Sequence, residues 1–126
     1  MNAMAALRQY QTVSTQAQVS DASPHRLIQM LMEGGLSRIA QAKGAMQHGQ
    51  QAAKGELISK AIGIIGGLRA GLDLEQGGEI AVNLDRLYEY MTARLIEANI
   101  GNDVAILDEV SGLLRNVKSG WDAISH

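Results

Sequence analysis

The residues best suited to specific chemistry are Asn83, Tyr88 and Tyr90, close together in Asn83-Leu-Asp-Arg-Leu-Tyr-Glu-Tyr-Met91. An asparagine amide carries both donor and acceptor groups and suits bonding to the backbone of an extended peptide, or simply to water. A tyrosine offers a large apolar body with a polar tip, useful at a contact surface and equally at home on the rim of a core. At helical spacing Tyr88 borders the core face, while Asn83 and Tyr90 share the other side of Leu87. The chemistry on offer is recognition.

Catalytic and metal chemistry finds no comparable support. A carboxylate-bridged metal pair in a helical protein needs Glu-x-x-His on two helices, and no Glu is followed by His at that spacing. His25, His48 and His126 stand near helix or chain ends and read as isolated surface residues. The chain has no cysteine, hence no thiolate nucleophile or thiolate zinc site, and no Gly-x-x-x-x-Gly-Lys-Ser/Thr phosphate loop. The glycines from Gly63 to Gly71 lie within a helical pattern rather than after a strand, which removes a dinucleotide-binding reading. The expectation is a protein that is not an enzyme, with no cofactor and no metal.

The elements that position these residues are helical. A single proline and long stretches of Ala, Leu, Ile, Gln and Glu predict an all-α chain. Ser23-Pro24 is a helix start, and a first helix carries Leu27, Ile28, Leu31, Gly35, Ile39, Ala42 and Met46 before fading at His48-Gly49. A second helix runs through Leu57, Ala61, Ile64, Ile65, Leu68 and Leu72 and ends before the Gly77-Gly78 corner. A third places Ile80, Leu84, Leu87, Met91, Leu95 and Ala98 on one face and stops at Asn99-Ile-Gly-Asn102. The fourth has Leu107, Val110, Leu114, Val117, Trp121 and Ile124 in steps of three and four, which is bundle spacing. Four helices joined by short turns predict an antiparallel up-down-up-down four-helix bundle over residues 23–126, preceded by a flexible leader or mobile cap over 1–22.

At 126 residues the chain fits one domain able to bury roughly two-thirds of its unfolded surface. No segment approaches the ~20 apolar residues that span a bilayer, and the N-terminus lacks the pattern of a cleaved secretion signal. With the absence of cysteine, these features predict a cytosolic protein without membrane insertion. Eleven basic and thirteen acidic residues are scattered to a net charge of −2, with no basic cluster to track a phosphate backbone, so nucleic acid is not an expected partner.

The second helix departs from a plain bundle helix. Its apolar groups continue past the core stripe through Ile58 and Ile62 to bare backbone at Gly66, an arc of ~160°. Two readings stand: the helix is more central than its neighbours and buries this flank, or the flank is a shallow apolar groove. Gly55, Gly63, Gly66, Gly67 and Gly71 each cost on the order of 1 kcal/mol relative to alanine within a helix, so they need a reason, which is close approach by a neighbouring helix or by an added segment. In the polar leader, Leu7, Tyr10 and Val13 recur at spacing three. They either plug such a groove or belong to a disordered tail.

The segments Ser23-Pro-His-Arg-Leu-Ile-Gln-Met-Leu31, Gly71-Leu-Asp-Leu-Glu-Gln-Gly-Gly-Glu-Ile80, Asn83-Leu-Asp-Arg-Leu-Tyr-Glu-Tyr-Met91 and Leu113-Leu-Arg-Asn-Val-Lys-Ser-Gly-Trp121 together resemble the FliS flagellin export chaperones. The resemblance covers nearly the whole chain. It implies a cytosolic chaperone that binds the disordered C-terminal segment of flagellin, prevents premature polymerisation and assists delivery to the flagellar type III export gate. By the same resemblance, Tyr10 matches a tyrosine of a displaceable N-terminal cap, and Asn83, Leu87, Tyr88 and Tyr90 match the third-helix motif. The chain departs at Met32, where family members often carry an aromatic residue; a methionine adapts to such a space. Ile58, Ile62, Gly66, Asn83, Leu87, Tyr88 and Tyr90 are therefore the expected partner-binding residues, with Leu7, Tyr10 and Val13 as cap. A helical adaptor that takes an amphipathic helix of another protein is the alternative. Homodimer formation by the empty protein, and competition by a co-chaperone or regulator, stay open at this level.

Overall fold

Ser23 and Pro24 start the first helix as the sequence predicts. The Ser23 hydroxyl accepts from the Arg26 N–H at 3.1 Å, and Pro24 occupies the first helical position, where a missing N–H costs nothing. The computed structural model describes residues 22–124, which form four helices: α1 (Pro24–Gln47), α2 (Gln51–Ala70), α3 (Gly78–Gly101) and α4 (Val104–Asp122). No strand occurs among the described residues. Leu7, Tyr10, Val13 and His126 lie outside them.

Each of α1 and α3 packs against both α2 and α4, so the helices enclose one four-sided core. Side-chain contacts fix which ends meet. His25 near the start of α1 stacks on Trp121 near the end of α4, with ring centroids 4.9 Å apart, and Lys43 near the end of α1 reaches Asp108 in α4 at 2.9 Å. Likewise Lys54 of α2 reaches Asn102 just beyond α3, and Arg69 at the end of α2 reaches Asp85 early in α3. The starts of α1 and α3 thus share one end of the bundle with the last turns of α2 and α4.

Leu31, Ile39, Ile58, Ile65, Met91, Leu95, Leu107 and Leu114 are all but sealed from water. Each such side chain contributes about 1.5–3 kcal/mol relative to remaining exposed. At Gly35 the backbone of α1 comes close to two neighbours: a Cβ there would sit 3.1 Å from Leu114 Cδ2 and 3.5 Å from Ile64 Cγ2.

One boundary differs from the sequence reading. α2 ends at Ala70 rather than continuing through Leu72: the Gly71 N–H still makes the helical bond to the Gly67 carbonyl, but the Leu72 N–H tightens to the Arg69 carbonyl three residues back. Asp73 then organises a turn by accepting from the Glu75 and Gln76 N–H groups. The corner that follows needs glycine twice. A Cβ on Gly77 would come within 2.6 Å of Ala81 Cβ, and Gly78 has φ of +57°. α3 ends within the Asn99-Ile-Gly-Asn102 stop that the sequence marks, running to Gly101, where Asn102 closes it in the left-handed conformation at φ 50°.

Candidate binding cleft

At the end of the bundle where α1 and α3 begin, α3 and α4 enclose an apolar cleft of about 610 Å³. The first turns of α1 supply Ile28 and Met32, and the end of α2 with its turn supplies Leu68, Leu72 and the Asp73 rim. α3 contributes Ile80, Ala81, Leu84 and Tyr88. From α4 come Val117 and Trp121, followed by Ile124. These are the ends of the regular apolar stripes. On the third helix, Ile80 was expected to join the core face, yet it is 74% exposed, because the first turn of α3 overhangs the core beyond the cover of the other described helices. Ile124, at the matching end of the last stripe, is 49% exposed.

Trp121 is anchored on the rim. Its Nε1–H donates to the His25 carbonyl at 3.0 Å, and His25 Nε2–H donates to the Trp121 carbonyl at 2.7 Å. His25 is thus part of a reciprocal latch between α1 and α4 rather than the isolated surface residue the sequence suggested; the fold brings its distant partner beside it. Outside the cleft lining, Arg69 Nε donates to Asp85 Oδ1 at 2.6 Å and Arg69 Nη2 to Glu89 Oε2 at 2.9 Å, tying α2 to α3. The Arg69 hydrogen bond holds the Asp85 carboxyl below the usual carboxylate range.

The residues expected from sequence to bind a partner fall into three places. Tyr88 lies on the floor of the cleft, 2% exposed, and desolvation pushes its phenol up to about 12. Ile62 and Gly66 share the face of α2 that carries Arg69, so they form a flank alongside α3. Ile58 lies beneath that flank in the core at 1% exposed, and a Cβ on Gly66 would meet open space. Asn83 and Tyr90 sit two turns apart on the other side of α3; Asn83 is exposed, and Tyr90 O–H donates to Glu109 Oε2 of α4 at 2.7 Å. Leu87, next to them, packs partly against the core. Of these residues only Tyr88 reaches the cleft. Sequence reading did not gather Ile28, Leu72, Leu84, Val117, Trp121 and Ile124 as a site, because each continues a core stripe. The available signal was that the stripes of the third and fourth helices extend beyond the length their neighbours cover.

Among the described residues no group of His, Asp and Glu could hold a metal ion, and no helix is long and apolar enough to cross a membrane. Among the described residues, the fold and the cleft define an all-helical bundle with an apolar cleft at one end. The chain matches the family described as flagellar protein FliS over residues 6–126, and it belongs to that family. It is 70% identical over 126 residues to the flagellar secretion chaperone FliSB of Pseudomonas aeruginosa, with all of both chains covered. It is 49% identical over 120 residues to the flagellar secretion chaperone FliS of Salmonella typhimurium, covering 94% of this chain and 89% of the relative. The FliS chaperone of Bacillus subtilis is 34% identical over 110 residues, covering 87% and 81%.

Proposed function

We propose that this chain is a cytosolic export chaperone that binds the disordered C-terminal segment of flagellin, prevents its premature polymerisation and assists its delivery to the flagellar export gate. The observation that carries the reading is the apolar end cleft in a chain of the FliS family. A disordered client loses conformational entropy on binding and must recover it through extensive apolar burial. The cleft and the Ile62–Gly66 flank of α2, with Ile58 beneath it, provide surface for that burial. Asn83, Leu87 and Tyr90 supply a second edge, with the Asn83 amide suited to extended backbone. The leader covers the cleft when no client is bound, through Leu7, Tyr10 and Val13. Support for this comes from the entry point of the chain, since Ile28 and Met32 in the first turns of α1 already line the cleft.

The test is calorimetric titration with the C-terminal segment of the flagellin encoded in the same genome, with circular dichroism on the same mixture. One-to-one binding with a gain of helix and a negative heat-capacity change is expected. Removal of residues 1–17 should tighten the complex, and looser binding would make the leader part of the client site instead. Absence of binding by both full-length and trimmed protein would sink the flagellin assignment.

A further inference from the structure

Folded proteins pair nearly all of their buried polar groups, so an exception calls for an explanation. Tyr88 is such an exception: it is 2% exposed, it lines the cleft, and its hydroxyl has no hydrogen-bond partner among the described residues. Thr92 Oγ1–H donates to the Tyr88 backbone carbonyl, which leaves the phenol unaffected. Nearby aromatic polar atoms are engaged, Tyr90 O–H with Glu109 and Trp121 Nε1–H with His25. The Tyr88 phenol, its pKa raised by burial, keeps its proton at any physiological pH, so its hydroxyl is a donor on a residue that lines the cleft.

Building on the client reading above, we propose that Tyr88 is the specificity-determining residue of the end cleft, its hydroxyl donating to a backbone carbonyl of an extended, apolar client segment. The rest of the lining is apolar apart from Asp73 and Asn116, and Asp73 Oδ1 already accepts from its own turn. An apolar setting disfavours a carboxylate as the acceptor, since desolvating it costs far more than desolvating an amide. A hydrocarbon chain brings no acceptor at all. The carbonyls within a helix are already paired, which excludes a helix interior and leaves extended chain or a helix C-terminal turn, of which an unfolded client supplies the first directly.

Full-length protein and its Tyr88→Phe variant, titrated with the flagellin C-terminal segment and melted without it, test the proposal. Loss of one donor facing a desolvated carbonyl should weaken the complex by about tenfold. The free variant should melt higher than the wild type, because phenylalanine fills the same space without a stranded hydroxyl. Equal affinity of the two proteins in the presence of wild-type binding overturns the role of the hydroxyl and spares the client reading. A lower melting temperature of the free variant also overturns it, by revealing a partner in the empty protein. Failure of the wild type to bind the segment overturns the client reading and this inference with it.

Discussion

The two ends of the bundle treat a buried polar side chain in opposite ways. At the end that holds the α1–α2 and α3–α4 turns, Lys54 is 5% exposed, and its ammonium donates to the Asn99 carbonyl at 2.9 Å and to Asn102 Oδ1 at 2.6 Å. It thereby satisfies the last turn of α3, where free carbonyls and the negative end of the helix dipole favour a cation. At the cleft end Tyr88 is just as buried, and its hydroxyl has no partner among the described residues. The first end is complete by itself. At the second, among the described residues, apolar side chains and a phenol are left uncovered, and on the proposed reading this is the end that takes the client.

The largest effect should come from breaking the closed end. Lys54→Ala strands two acceptors and should lower unfolding stability by about 2–3 kcal/mol in urea denaturation. An unchanged midpoint would mean that this end is not held by its polar cap.

At the cleft end the order of effects reverses. Ile80 is 74% exposed, so Ile80→Asp should leave stability within about 0.5 kcal/mol of wild type. It should weaken flagellin-segment binding by roughly tenfold or more by placing a charge against the client. Calorimetry beside a thermal melt separates the two, and wild-type affinity would place the client elsewhere.

A pH series sharpens the contrast further. The folded Tyr88 phenol titrates at about 12, above the ordinary value of 10.0, so the unfolded chain releases its proton first as pH rises. The contribution from Tyr88 is fully present below pH 10 and is lost between about pH 10 and 12, at roughly 1.4 kcal/mol per pH unit. Tyr88→Phe should remove this part of the alkaline slope, as measured by chemical denaturation at successive pH values. Parallel curves for the two proteins would contradict the buried environment of the phenol.

The smallest effect lies on the flank between the ends. Gly66→Ala adds a methyl group into open space and should stabilise the free protein by about 0.5–1 kcal/mol through helix propensity. A loss of stability would reveal a close neighbour at that position.

Much of the fold was legible along the chain. Ser23-Pro24, the Gly77-Gly78 corner and the periodic stripes located four helices because capping, left-handed turns and amphipathic spacing are local matters. The candidate site was legible only in part. Tyr88 stood out by type, but a pattern of three and four cannot tell a stripe residue covered by a neighbour from one that overhangs the end, which is why Ile80 and Ile124 read as core. Gly66 posed the converse problem, since a small residue at a close approach and one beside open space look the same in sequence.

By itself, then, the sequence determined the helical class, the helix starts and corners, and which residues are apolar enough to be buried. These depend on interactions reaching no further than a turn or two of the chain. The tertiary structure alone decided that Lys54 meets the end of α3, that His25 meets Trp121 across 96 positions, and that the Tyr88 hydroxyl is buried without a partner among the described residues. Burial and hydrogen-bond satisfaction depend on what the other helices place alongside, and no local pattern encodes that.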